Sequence, residues 1–234
     1  FFFKQKTAYE IKECDWSSDV CSSDLYNNQK KYEHRDDLIE GLTTLIGNGK
    51  GVEIGVFKGD FSKIILSKWN GTLYMVDVWR GLGDEYEDIS NHNNHSDAFS
   101  KTIKNIEGYE DRGIMIRATS KKASEIFTDE SLDFIYIDAN HAYDFVVEDI
   151  NLWFPKLKKG GVFSGHDYLG MNWYEDPNFC LNGKDKYIWT KNNDGTQYYN
   201  GIFGVNPAVD EFCKQNNYDL NVTKEWFGTW WFIK

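Results

Sequence analysis

Apolar residues recur along this chain at two spacings, one helical and one of continuous short runs. Leu38, Leu42, Leu45 and Ile46 fall on one face of a helix over Arg35–Ile46, which Gly47-Asn48-Gly49 stops. Residues 52–55 read as a short buried strand, and Phe61, Ile64, Ile65 and Trp69 form the apolar face of the next helix. Residues 73–78 predict a second strand with Asp77 at its end, and the polar stretch 80–94 a loop. A helix over 98–106, a strand over 114–117 and a short helix over 121–127 follow. Residues 134–137 predict a fourth strand. In the helix after it, Val146, Ile150, Trp153 and Leu157 share a face, and Pro155 bends or ends the helix. Residues 162–164 predict a fifth strand. Residues 170–201 show no period, and a connection that long predicts a lid or substrate loop over 169–201. A helix over 208–216 and two closing strands, 218–222 and 229–233, complete the chain. Strands alternating with helices predict an α/β fold, a doubly wound and mostly parallel sheet of seven strands with helices on both faces.

One segment stands outside this pattern. Residues Phe1–Leu25 carry no apolar period, and their back-translation resembles a sequencing-library adapter read in frame, with its variable index across Lys12, Glu13 and the start of Cys14. They are left out of the fold reasoning. The expectation is one domain over 26–234 whose native N-terminal sequence is missing. That length suits a single α/β domain with a sizeable core. The chain carries 26 basic and 37 acidic side chains, a net charge of −11. Such acidity disfavours binding to phosphate backbones and suits a small-molecule enzyme, above all one with a cationic cofactor. Outside the adapter-like segment only Cys180 and Cys213 remain, far apart and without metal-ligand spacing, as expected of reduced thiols in a cytoplasmic protein. No apolar run has the length of a transmembrane helix, so no membrane partner is expected. A homo-oligomer is left open.

The candidate chemistry gathers at strand ends. Asp138 ends the fourth strand, His141 follows three residues later, and His166-Asp167 end the fifth. Two parallel strands joined by one helix bring these four groups to one sheet edge, where open α/β sheets bind ligands. Each alone has an ordinary structural use: Asp138 as a helix cap, His141 as a first-turn surface residue, His166-Asp167 as a turn pair. Their convergence is what marks a reaction site. His92-Asn93-Asn94-His95 has metal-like spacing but reads as a solvated loop. Trp173, Tyr174, Tyr187, Trp189, Tyr198 and Tyr199 would serve equally as a sugar-stacking surface or as packing of the lid.

Glu53-Ile54-Gly55-Val56-Phe57-Lys58-Gly59 follows the first strand and opens a helix. Phe57 and Asp60 occupy the second and third glycine positions of the dinucleotide pattern, which counts against a nucleotide-dependent oxidoreductase. The segment resembles the E-x-G-x-G-x-G loop of class I S-adenosylmethionine-dependent methyltransferases, with Phe57 in place of the middle glycine. Asp77 and Val78, about 20 residues on, stand where an acidic side chain accepts hydrogen bonds from both ribose hydroxyls. Thr119 and Ser120 after the third strand stand where that family meets the adenine, and either would also serve as an N-cap.

The resemblance sharpens at Asp138-Ala139-Asn140-His141, Pro155-Lys156-Leu157-Lys158-Lys159-Gly160-Gly161 and Gly165-His166-Asp167-Tyr168. These resemble the family of macrolide-sugar O-methyltransferases and cephalosporin hydroxylase-like proteins, over residues 52–168 and more loosely the closing strands. The resemblance implies a Rossmann-like sheet and transfer of a methyl group from S-adenosyl-L-methionine to a hydroxyl of a sugar or glycosylated small molecule. It implies cofactor contacts at Glu53, Gly55, Phe57, Gly59, Asp77, Val78, Thr119, Ser120 and Asp138. It implies magnesium (Mg2+) at Asp138 and Asp167 and a proton-accepting His141, with Asp138 and His141 as the catalytic pair. His166 replaces the first acid of that family's pair, so the metal set read here is Asp138, His166 and Asp167, a departure from three carboxylates. The remaining alternative is a cofactor-binding protein without transferase activity, against which Asp138, His141 and Asp167 stand intact.

Overall fold

The computed structural model describes residues 32–81, 95–169, 180–182, 185–191, 197–225 and 227–234; between 180 and 202 it describes the backbone. Eleven elements come in the expected order: α1 (Arg35–Ile46), β1 (Lys50–Ile54), α2 (Asp60–Lys68), β2 (Thr72–Asp77), α3 (His95–Asn105), β3 (Gly113–Arg117), α4 (Ser120–Ser124), β4 (Leu132–Ile137), α5 (Tyr143–Trp153), a 3-10 turn (Phe154–Lys156) and β5 (Leu157–Leu169). After them stand β6 (Cys180–Asn182), β7 (Asp185–Lys191), β8 (Gln197–Phe203), α6 (Val205–Asn216), β9 (Asn221–Val222) and β10 (Phe227–Ile233).

Seven strands form one sheet in the order β3-β2-β1-β4-β5-β10-β9. The first five are parallel, while β10 runs antiparallel to β5 and β9 antiparallel to β10. The chain builds outward from β1 to β3 and then returns to the other side of β1 at β4. That reversal opens a crevice at the carboxyl ends of β1 and β4. Registers align those ends, with Ile54 beside both Val76 and Ile137, and Ile137 beside Gly165. The residues just beyond them therefore share one edge.

Both sheet faces are covered, and β4 shows why its run is wholly apolar. Phe134 and Tyr136 face a core shared with Ile39, Leu42, Ile65 and Trp69 of the α1–α2 side. Ile135 and Ile137 face Val146, Ile150, Trp153, Val209 and Phe232 on the opposite side. Strands buried on both faces read as continuous hydrophobic runs.

Four expectations are corrected. Pro155 ends α5 at Trp153, so Leu157 opens β5 rather than closing the helix face, although it packs in the same cluster as Val146, Ile150 and Trp153. β5 spans 13 residues rather than 162–164. Gly160, at φ 81°, lies in a register shift between the pairs Leu132–Leu157 and Phe134–Val162, so the glycine pair interrupts the ladder without starting it. Within 170–201, where the sequence shows no period, the described backbone forms a three-stranded antiparallel sheet, β6-β7-β8, whose last strand runs on to Phe203. Trp173, Tyr174, most of the 80–94 stretch including His92, and the adapter-like residues Phe1–Leu25 lie outside the described residues. So do the side chains of Tyr187, Trp189, Tyr198 and Tyr199. His95, read as a loop residue, opens α3.

Candidate active site

A cavity of about 630 Å³ lies at the carboxyl edge of β1, β2, β3 and β4. Its walls include Glu53, Gly55, Phe57, Asp77, Val78, Thr119, Ser120 and Asp138, eight of the nine expected cofactor residues. The ninth, Gly59, is at φ 72° and caps the start of α2, so it shapes the loop rather than lining the space. Gly55 is at φ 89°, and a Cβ there would stand 1.9 Å from the Asp138 carbonyl oxygen. Only glycine lets β1 and β4 end so close together.

The loop between these glycines is held from three directions. Asp77 Oδ2 accepts the amides of Val56 (3.0 Å) and Phe57 (2.8 Å), and its Oδ1 accepts that of Trp79 (2.7 Å). Trp79 Nε1 and Thr102 Oγ1 both donate to the Phe57 carbonyl, at 2.8 and 3.0 Å. These bonds keep Phe57, with φ 52°, in a conformation uncommon outside glycine. A carboxylate offers about four acceptor positions. Three are spent on the backbone here, so Asp77 is first a clamp for the loop, with about one position left for a ribose.

At the third-strand end, Thr119 is the N-cap of α4, accepting from the Lys122 amide at 3.3 Å. Ser120 donates to Asp149 and accepts from Trp153 Nε1 at 2.8 Å. Asp149, buried on α5 and lining the same cavity, was not singled out by the sequence. Burial pushes its carboxyl up to about 7 despite the Ser120 hydrogen bond. Its only sequence signal is an acid set between Val146, Ile150 and Trp153 on an apolar face. Arg35 and Asn140 are two further wall residues that pattern reading missed.

Next to the cavity, Asp138 joins a cluster of four. His141 Nε2 lies 2.8 Å from Asp167 Oδ2 and 3.6 Å from Asp138 Oδ1. His166 Nδ1 lies 3.5 Å from Asp167 Oδ1 and 3.8 Å from Asp138 Oδ2. Local structure fixes each group. Asp167 is buried and sits at φ 59° inside β5, which turns its side chain to the imidazoles. The His141 ring stacks on Phe203 with centroids 5.0 Å apart, and its carbonyl accepts from the Gly204 amide at 2.7 Å. Ala142 is the N-cap of α5 and has no side-chain cap bond; its amide donates to Asn140 Oδ1 at 2.9 Å, and Asp138 does not cap the helix.

Burial opposes charge on His141, but the Asp167 and Asp138 carboxylates outweigh it and raise the imidazole well above its ordinary value. His166 is raised too, burial being outweighed by Asp167 and Asp138. Burial likewise works against ionised Asp167, yet the two imidazoles hold its carboxyl far below the usual range.

A metal fits the donor geometry. One ligand atom from each of Asp138, His141 and Asp167 lies within 4.8 Å of the others, the span of donors around a single cation. This compact set contains His141, whereas His166, named for the metal from the sequence, approaches both carboxylates from outside it. The set mixes imidazole nitrogen with carboxylate oxygen, where magnesium favours oxygen alone.

Residues 52–168, half of the chain, match the family model for the methyltransferase domain. A curated relative, the uncharacterized protein y4gI of Sinorhizobium fredii, is 29% identical over 101 residues. That match covers 40% of this chain, which spans about a tenth (10%) of the relative's length. Among solved structures, a Staphylococcus aureus protein named for caffeoyl-CoA O-methyl transfer aligns with TM-score 0.59 at 19% identity, covering 86% of this chain and 82% of that one. The O-methyltransferase TomG of Streptomyces achromogenes, solved with its S-adenosylmethionine, aligns with TM-score 0.53 at 13% identity, covering 85% and 78%. A Bacillus cereus O-methyltransferase in complex with S-adenosylhomocysteine aligns with TM-score 0.51 at 15% identity, covering 86% and 80%. The chain belongs to the methyltransferase-domain family and has the class I S-adenosylmethionine-dependent fold.

Proposed function

We propose that this methyltransferase-family chain transfers the methyl group of S-adenosylmethionine to a hydroxyl of a sugar or glycosylated small molecule, assisted by a divalent metal. The observation that carries this reading is the double membership of Asp138. It lines the cavity of the Gly55 loop and also lies 3.6 Å from His141 in the ionisable cluster. A donor in the cavity and a hydroxyl at the cluster would meet at that residue.

When bound, the cofactor supplies an electrophilic sulfonium methyl, and the metal makes a ligated hydroxyl more acidic. The chain's residues do the rest. The loop from Gly55 to Gly59, clamped by Asp77, Trp79 and Thr102, presents a fixed concave wall to the cofactor. Asp138 and Asp167 would hold the metal, with His166 as the imidazole beside them, and the two carboxylates would orient the acceptor's hydroxyls. His141 Nε2 faces both carboxylates, whose charges hold its proton in the unliganded protein; with those charges offset it would take the hydroxyl proton, and Asp167 Oδ2 at 2.8 Å would stabilise the imidazolium. Holding both reactants in line accounts for much of the rate. The net charge of −11 supports a small-molecule acceptor over a nucleic acid. No helix among the described residues is long and apolar enough to cross a membrane.

The test is calorimetric titration with S-adenosylmethionine and NAD, followed by a labelled-methyl transfer screen over sugars and glycosides with and without EDTA. Binding of NAD but not S-adenosylmethionine overturns the reading. Full activity in EDTA removes the metal and leaves the rest.

A further inference from the structure

The junction of β8 and α6 grips both halves of the ionisable cluster. On the β4 side, the Gly204 amide donates to the His141 carbonyl at 2.7 Å, and the Phe203 ring lies against the His141 ring with centroids 5.0 Å apart and planes 12° from parallel. On the β5 side, Asn206 takes both backbone groups of Leu169, just past Asp167. Its Oδ1 accepts the Leu169 amide at 2.9 Å, and its Nδ2 donates to the Leu169 carbonyl at 3.0 Å. Phe203 is buried and packs in turn on Leu169 and Phe227, so its ring has a fixed place. His141 lacks such support from its own element, since it stands in the connection after β4 and α5 begins only at Tyr143. The carboxylates attract its imidazole without aiming it. Nε2 lies 2.8 Å from Asp167 Oδ2 and 3.6 Å from Asp138 Oδ1, yet it is buried and, among the described residues, has no hydrogen bond of normal angle. Charge at such distances acts over a wide range of angles, whereas a stacked ring fixes a plane.

We propose that Phe203 is the positioning residue of the site: its ring sets the plane of the His141 imidazole and so keeps Nε2 turned to Asp138 and Asp167. The use of that orientation in proton transfer rests on the function proposed above; the orientation itself does not. The proton acceptor is then set by the last residue of the second sheet, β6-β7-β8, and not by the parallel sheet that carries Asp167. A leucine or methionine at 203 keeps an apolar contact but has no face to stack on, while tyrosine keeps the face.

The experiment is NMR relaxation of the histidine ring C–H groups in protein labelled at histidine, with the His141 signals assigned by their loss in His141→Gln. The wild type, Phe203→Leu, Phe203→Met and Phe203→Tyr are compared, with melting curves of each. In the wild type and the Tyr variant the His141 ring should be rigid, with an order parameter of about 0.85, and in the Leu and Met variants it should fall below about 0.6. The Met variant carries the test if the Leu variant does not fold. A ring equally rigid in Leu or Met would mean that the carboxylates alone hold it, and would overturn the proposal. So would a mobile ring in the Tyr variant. On an acceptor from the transfer screen, the Leu variant should lose up to about a hundredfold in kcat, the cost of misplacing a reacting group by about 1 Å, with KM unchanged and with Tyr restoring the rate. A raised KM at constant kcat would make Phe203 part of the acceptor's wall and overturn the positioning role. A wild type that transfers no methyl group overturns the function, while the order parameters still decide the orientation.

Discussion

Cofactor binding should expel a proton from Glu53. That carboxyl is 1% exposed, and burial pushes it up to about 8, with Asp138 and Asp77 adding to the rise and Ser62 and Arg35 opposing it. At pH 7 roughly nine in ten empty molecules then carry a neutral Glu53. A ligand bringing a sulfonium and an ammonium favours the carboxylate, so binding lowers this pKa and releases close to one proton. Affinity should therefore rise with pH by up to tenfold per unit, about fiftyfold between pH 6 and pH 8, where the slope flattens. Stability runs the other way. An acid whose folded pKa is raised holds its proton in the native state between about 4.5 and 8, while the unfolded chain has lost it. The ligand-free protein thus loses stability as pH rises through that window, by an upper bound of a few kcal/mol. Calorimetry at pH 7 in buffers of different ionisation enthalpy reads the proton directly, as the slope of observed enthalpy against buffer enthalpy. Glu53→Gln should bring that slope close to zero and flatten both pH profiles. A wild type that releases no proton, or a Gln variant with the same slope, would refute the reasoning.

Gly55→Ala should abolish cofactor binding, because its Cβ would stand 1.9 Å from the Asp138 carbonyl oxygen at φ 89°; titration detects this, and near-normal affinity would contradict the close approach. His141→Ala should cut turnover by about 10²–10⁴ with cofactor affinity nearly intact; an unchanged rate would remove the proton-accepting role. Asp167→Asn should depress metal binding and turnover while sparing cofactor affinity, since Asp167 does not line the cavity, whereas Asp138→Asn should lower all three. Equal cofactor losses in the two variants would contradict the division. Deleting Phe1–Leu25 should leave folding intact, and a melting temperature lower by several degrees, about 1 kcal/mol, would show that the segment contributes.

The centre of the parallel half was legible because β1, β4 and β5 are buried on both faces over most of their length. The run Phe134–Ile137 is a continuous apolar stretch that ends in Asp138 at the ligand edge. That same edge made Asp77, Asp138, His141 and Asp167 readable, since topology alone gathers strand ends. Residues 185–191 and 197–203 carry strand-forming Tyr, Ile, Trp and Thr among Lys, Asn and Gln. Without a clean period of two they pass for a loop. Gly160-Gly161 marks a boundary in sequence but only a ladder irregularity in space. Arg35 and Asp149 were hidden for another reason. Each sits on a helix whose pattern is explained by packing, and their approach to the cavity depends on how that helix lies across the sheet.

The fold also explains why donor and acceptor halves of such a site are not independent. The Asp138 amide donates to the Ile54 carbonyl at 2.8 Å, and the Asp138 carbonyl fills the space that a side chain at Gly55 would need. The turn that lets a cofactor approach the backbone and the first acid of the reacting cluster are thus one hydrogen-bonded unit. A shift of the loop moves Asp138, and through it the 3.6 Å spacing to His141. Asp167 and His166 are set by a different element, the positive-φ turn within β5. The cluster is therefore assembled across the β4–β5 pair, and its geometry depends on the register Ile137–Gly165. Changes at Gly55 reach Asp138 through the backbone alone.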